Sequence, residues 1–228
     1  MMKQYKLQLT VLLCLCGIAF SACAQEKHME KEKITVFKII TSNDVSALKH
    51  WIAERNNLEI RNDKGETPLI TATYANQIEM AKLLIEAGAD VNAQDKLLNS
   101  SFLYAGASGY LEILKLGLKA GADYKVFNRY YGTALIPACE KGHTAVVAEL
   151  LKDKSFPVDH VNKLGWTALL EAIILTNGNS KQVEIVAMLI RAGCNVNLAD
   201  HEGVTPLSHA KNKNFKAIIA LLEKAGAH

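Results

Sequence analysis

The sequence predicts an all-α solenoid of about six stacked helix-turn-helix units, and three observations carry that expectation. First, one apolar position recurs along the chain as Leu69, Phe102, Leu135, Leu169 and Leu207, at spacings of 33, 33, 34 and 38 residues. A fixed period of that size marks stacked repeats. Second, each occurrence has the same local frame: Thr67-Pro68-Leu69, Ser100-Ser101-Phe102, Thr133-Ala134-Leu135, Thr167-Ala168-Leu169 and Thr205-Pro206-Leu207. Third, an exit motif recurs as Gly88-Ala89-Asp90, Gly121-Ala122-Asp123 and Gly193-Cys194-Asn195, and the chain stops on Gly226-Ala227-His228.

Elementary chemistry explains the unit. Pro68 falls in a helix's first turn, where its missing N–H costs nothing. Thr67 is then the N-cap, its hydroxyl accepting from an otherwise orphan amide. Met80, Ala81, Leu84 and Ile85 recur at helical spacing and form one apolar stripe. Gly88 follows, where a left-handed C-cap favours glycine. Two short helices with one apolar face cannot bury it alone, so each unit needs stacked neighbours.

The stretch from Gly65 to Asn92, GETPLITATYANQIEMAKLLIEAGADVN, resembles the ankyrin repeat pattern G-x-T-P-L-x-x-A…L-L-x-x-G-A-D-V-N almost letter for letter. The resemblance implies an ankyrin repeat solenoid with short β-hairpin tips. Its repeats fall at about 34–62, 63–94, 95–127, 128–161, 162–199 and 200–228. The first lacks the capping residues and reads as an N-terminal cap with a polar outside (Lys38, Lys49, Glu54). The second is the full pattern. The third replaces the tip glycine with Lys96-Leu97-Leu98-Asn99. The fourth opens with Arg129-Tyr130-Tyr131-Gly132, keeps the family's Gly142-His143 break, and carries Phe156-Pro157-Val158-Asp159 in place of the exit glycine. The fifth opens with Lys163-Leu164-Gly165-Trp166. Its inter-helix turn is longer by about five residues, Thr176 to Ser180, whose Gly and Asn make it read as a dispensable loop insertion. The sixth ends on its second helix, with Lys211, Lys213, Lys216 and Lys224 suiting a C-terminal cap.

Residues 1–24 read as a secretory signal peptide: Lys3 and Lys6 precede an apolar run from Leu7 to Phe20 that is shorter than a membrane span. Ala22-Cys23-Ala24 fits cleavage before Gln25. Phe20-Ser21-Ala22-Cys23 also resembles a bacterial lipobox, which would leave Cys23 lipidated. Residues 25–33 read as a charged flexible leader. The expected location is the periplasm or cell envelope, with a membrane-anchored lipoprotein as the alternative.

Composition narrows the function classes. The formal charge is +3, about +1 without Lys3 and Lys6, so nothing points to nucleic acid, and a membrane role would come only through a lipid on Cys23. Beyond residue 24 only Cys139 and Cys194 remain. They occupy different levels of the repeat and read as buried thiols, since a bridge needs Cα atoms within about 7 Å. So few cysteines in an exported chain fit a bacterial envelope better than a disulfide-stapled secreted domain.

No motif for chemistry stands out. No two histidines pair at i, i+4, and neither H-E-x-x-H nor G-x-S-x-G occurs. The glycines serve turns, and Asp90, Asp123 and Asp159 lie just past helix ends, where each serves its own turn. His143 reads as a contact between repeats. The expectation is a non-catalytic monomer with no cofactor and no metal.

What remains is a surface. In the ankyrin family the partner meets the tips and the exposed side of the first helices. By position, that implies Tyr74, Leu97, Arg129, Tyr130, Tyr131, Leu164, Trp166 and His201. Tips are normally polar. Here Leu97, Leu98, Tyr130, Tyr131, Leu164 and Trp166 fall on three consecutive ones, and exposed aromatics beside an arginine are typical of interface hot spots. The implied function is protein binding. The other readings of the same face are an inhibitor or immunity protein that occludes an exported enzyme, and an accessory to periplasmic oxidative-stress defence, which some periplasmic ankyrin proteins resemble. Intact-mass analysis of the mature protein should give either a soluble species starting at Gln25 or a lipidated one starting at Cys23; an uncleaved cytoplasmic species would refute export.

Overall fold

The computed structural model describes residues 30–228, and among them the only regular elements are twelve helices in six pairs. Helix α1 covers residues 30–41 and α2 Val45–Ala53. The pairs that follow are α3 Pro68–Tyr74 with α4 Ile78–Glu86, and α5 Ser101–Ser108 with α6 Leu111–Lys119. Then come α7 Leu135–Glu140 with α8 Thr144–Leu150, α9 Ala168–Ile174 with α10 Ser180–Arg191, and α11 Pro206–Asn212 with α12 Lys216–Lys224. The expected signal peptide with Cys23, and residues 25–29 of the expected leader, lie outside the described residues. Leader residues 30–33 are helical rather than flexible, and two of them are tied down. Lys33 binds Asp63 at 2.8 Å, and the Glu32 carboxylate accepts from the Asn57 amide. No helix among the described residues is long and apolar enough to cross a membrane.

The helices stack in two layers. First helices α3, α5, α7, α9 and α11 contact one another in order, and second helices α2, α4, α6, α8, α10 and α12 do the same. The apolar column lies between the layers: Leu69, Phe102, Leu135, Leu169 and Leu207 are all buried. So are Met80, Ala81 and Leu84 of the α4 stripe, with Ile85 half-buried. A Leu→Ala change at such a site typically costs about 2–5 kcal/mol.

Caps set the helix ends. The Thr67, Ser100, Thr167 and Thr205 hydroxyls accept from the amides of Ile70, Leu103, Leu170 and Ser208 at 3.2–3.3 Å. Repeat four is the exception: α7 begins one residue late, and the buried Thr133 hydroxyl has no partner. At the exits, Gly88 is left-handed, φ +100°. Its amide donates to the Ile85 carbonyl, and Ala89 N–H donates to Leu84. This paired arrangement satisfies two end carbonyls. It repeats at Gly121, Gly193 and Gly226. Repeat four lacks that glycine and instead buries Phe156 against Tyr124, with ring centroids 4.6 Å apart. Cys139 and Cys194 are buried free thiols, and burial pushes both thiols up, Cys194 to about 12.

Two local expectations are corrected. The tips contain no strand: each is a tight turn closed by a single backbone pair across its ends, such as Asn62 N–H to the Glu66 carbonyl, too little to extend into a ladder. The extra residues of repeat five are not a free loop. They give a five-residue loop (175–179), and they make α10 twelve residues long where α4 has nine. Asn179 caps α10 through the Lys181 amide, and Thr176 caps back onto the Ala172 carbonyl. Gly178 lies under the Phe215 ring of the next repeat, where a Cβ would come within 2.7 Å of it. Deleting Thr176 to Ser180 should therefore lower the unfolding midpoint rather than leave it unchanged, by about 1–3 kcal/mol of lost capping and packing. Thermal melts of the deletion variant decide this.

Candidate protein-binding surface

Each tip is built on one Asx residue. The side-chain oxygens of Asn62, Asp95, Asn128, Asn162 and Asp200 each accept from two backbone amides, two and four residues further on, at 2.8–3.0 Å. This local mimic of a turn is what short polar side chains do well. It fixes the backbone and leaves the next three side chains free to vary. The tips also touch one another. Lys96 N–H donates to the Lys64 carbonyl at 3.1 Å, and Lys163 N–H to the Tyr130 carbonyl at 2.8 Å.

Those three free positions carry most of the expected surface. Leu97, Leu98, Tyr130, Tyr131 and Leu164 are each 45–56 % exposed. Arg129 is exposed, with its guanidinium 4.8 Å from the Tyr130 ring centre. Tyr131 leans on Phe127, centroids 4.3 Å apart, and Phe127 stacks on His160. His160 Nε2 lies 2.6 Å from the Tyr131 carbonyl, which accepts from it.

Three expected members sit differently. Trp166 is only half-buried surface, held at the end of its tip, where its own amide binds Asn162. Tyr74 is consumed within the protein: its hydroxyl donates to the Asp95 carboxylate and accepts from Asn99, and its ring meets Tyr104 edge-on at 4.4 Å. Burial, then the Asp95 bond, pushes that phenol well above its ordinary range. His201 is exposed but lies over Gly165, where a Cβ would come within 2.5 Å of the ring. Tyr74 and His201 are placed by residues one repeat away, which no local pattern reveals.

Two features escaped the sequence reading. Leu98 and Tyr131 are left-handed, φ +57° and +59°, at the tip position where the other three tips have Gly65, Gly165 and Gly203. Aligning the five tips would have found this. The other is Glu171 on α9, a buried carboxylate facing tip four. Asn162 Nδ2 donates to it at 2.8 Å. Burial, reinforced by the Glu140 carboxylate and opposed by that bond, raises it to about 7. His209 makes the equivalent contact one repeat later, Nε2 to Asp200 at 2.7 Å.

Comparison with known proteins places the chain. A model of ankyrin repeats in three copies matches residues 4–95, 36–128 and 102–200. The chain belongs to the ankyrin repeat family. It is 38% identical over 184 residues to the ankyrin repeat protein YahD of Escherichia coli strain K12, covering 81% of this chain and 92% of that one. Among solved structures, an ankyrin repeat domain from Acinetobacter baumannii AYE superposes with a TM-score of 0.82 at 50% identity, covering 85% of this chain and 98% of that one. The ankyrin repeat protein EF0377 gives 0.81 at 37% identity, covering 83% and 96%. The ankyrin domain of Bcl-3, 0.75 at 23% identity over 85% of this chain and 86% of that one, shares the fold.

An ankyrin stack is generally a non-catalytic interaction scaffold, and the side chains on this one suit that use. Asp90 and Asp123 serve their own turns, accepting from the amides of Asn92 and Lys125. Asp159 instead reaches the next repeat, accepting from Asn195 N–H at 2.9 Å. The His143 ring packs over Gly109 of the preceding ankyrin repeat, and burial lowers its basicity. Among the described residues no group of three or more His, Cys, Asp or Glu is placed to hold a metal ion.

Glu171 generates a pH prediction. Folding raises its affinity for a proton, so its contribution to stability is full below its ordinary 4.5 and is lost as the pH rises through about 7. Glu171→Gln keeps an acceptor for Asn162 and removes the charge. It should stabilise the protein at pH 8 by about 1–3 kcal/mol and leave it little changed at pH 4. Thermal melts of both proteins across that range provide the check.

Proposed function

We propose that this chain is an exported protein-binding module of a bacterial envelope, without catalytic chemistry of its own, and that its contact surface is the run of tips carrying Leu97 to Trp166. One observation carries the reading. Leu98 and Tyr131 occupy left-handed tip positions where glycine would be unstrained, and both stay about half exposed. A bulky residue there costs roughly 1–2 kcal/mol. Tyr131 offsets part of the strain against Phe127 and His160, whereas Leu98 leaves 45% of its surface exposed, and a side chain kept at such a cost in solvent is best explained by a partner that covers it. Of the eight large hydrophobic side chains left exposed among the described residues, five lie on these three tips. The export signal, or a lipid on Cys23, would deliver the module to the periplasm or to a membrane facing it.

Stability and binding should then move in opposite directions. Leu98→Gly should leave the fold unchanged or stabilise it by up to about 1 kcal/mol, since relief of strain competes with the flexibility glycine adds to the unfolded chain. It should weaken capture of the partner. Tyr130→Ala should cost the complex about 2 kcal/mol or more while changing folding by no more than about 0.5 kcal/mol. A photo-crosslinking amino acid at position 130 should trap a partner in the native envelope fraction, and the same group at position 211 should not. Adducts from 211 alone, or a fold that collapses with Tyr130→Ala, would refute this face.

A further inference from the structure

Resting on the binding face proposed above, we infer that its partner presents an extended acidic peptide segment with apolar side chains between the acids. On three consecutive tips the residue after the Asx anchor is a cation, Lys96, Arg129 or Lys163, and the residue after that is apolar, Leu97, Tyr130 or Leu164. All six are exposed. The flanking tips break the pattern: Asp63 is bridged to Lys33, and tip five has His201 followed by Glu202.

The cations are positioned and not neutralised. Lys96 Nζ donates to the Asp63 carbonyl at 2.8 Å and Lys163 Nζ to the Arg129 carbonyl at 3.2 Å. Each ammonium keeps two further donors. Arg129 lies over a ring rather than a carboxylate. The one acid within these tips, Asp95, is buried and already accepts from Leu97, Asn99 and Tyr74. The strip therefore carries three cations that make no salt bridge among the described residues, only Lys96 being drawn to the Asp63 carboxylate of the flanking tip, beside exposed apolar surface.

Spacing gives the form of the ligand. Stacked helices lie about 8–10 Å apart, and an extended chain rises about 3.3 Å per residue. A peptide crossing the tips would thus meet a new cation roughly every third residue, with apolar side chains reaching Leu97, Tyr130 and Leu164 in between. A continuous polyanion fits less well, because the flanking tips present the exposed carboxylates Asp63 and Glu202 and the whole chain carries only +3. Discrete acids can avoid those carboxylates; a nucleic acid backbone or an anionic bilayer cannot.

Random dodecapeptides displayed on phage, panned against the purified chain at 50 mM salt, test this. Peptides rich in Asp or Glu alternating with apolar residues should be enriched. A synthetic copy of the strongest should bind at least tenfold more weakly to the K96Q/R129Q/K163Q variant, and more weakly at 300 mM salt. Arg129→Gln alone, which removes no backbone contact, should already weaken it, and melting curves confirm that the variants are folded. Enriched peptides that are basic or uncharged, yet lost with L97S/Y130S/L164S, would overturn the acidic partner and leave the binding face standing. No enrichment above that apolar-stripped variant would overturn both. Binding to phosphatidylglycerol vesicles that the K96Q/R129Q/K163Q variant loses, without peptide enrichment, would replace the peptide with a lipid surface.

Discussion

Helices of six to twelve residues are marginal in water, because a helical nucleus fixes several dihedrals for one hydrogen bond. No pair here has enough apolar surface to offset that alone. The burial of the Leu69, Phe102, Leu135, Leu169 and Leu207 column between the two helix layers supplies the missing stabilisation, and only a neighbour on either side completes it. Stability is therefore shared along the stack. It also explains why the stack ends are built differently. Helix α1 is a longer cap anchored by Lys33 and Glu32, and the loop of repeat five reaches over to pack beneath Phe215 of the last repeat.

Because the core holds the helices and one Asx oxygen holds each tip, the remaining tip side chains add only contacts between neighbouring tips or local packing, such as Lys96 to the Asp63 carbonyl and Tyr131 against Phe127. That separation lets tips two to four depart from the polar norm without unfolding the protein. It also lets Leu98 and Tyr131 persist in left-handed backbone, since the Asp95 and Asn128 anchors over-determine their turns. The buried Glu171 is the converse case. Its carboxylate accepts from the anchor of tip four, the same Asn162 whose side-chain oxygen holds the Leu164 and Trp166 amides.

Much of this was legible in the residues. Period, N-cap hydroxyls, exit glycines and the apolar column are local or strictly periodic features, and each has one dominant physical reading. The exposure of Leu97, Tyr130 and Leu164 followed from their place in the period. Tyr74 was harder, because a large aromatic at the edge of a tip can project or lie down, and the choice depends on polar groups supplied from elsewhere. Tyr74 lies against Asp95, Asn99 and Tyr104 of the next repeat, 21 to 30 residues away.

The sequence by itself determined the repeat architecture, the family and the three unusual tips, because those depend on interactions within a few residues or on a pattern repeated five times. Only the tertiary structure decided which tip side chains are free and which are consumed. It also decided that the repeat-five insertion is a packed element, that residues 30–33 are helix, and that burial raises the Glu171 carboxyl to about 7. The reason is the same in each case. The deciding group lies on another part of the chain, Asp95 for Tyr74, Phe215 for Gly178, Asp63 for Lys33, and for Glu171 burial with the Glu140 carboxylate of the preceding repeat, and a linear pattern carries no record of those distances.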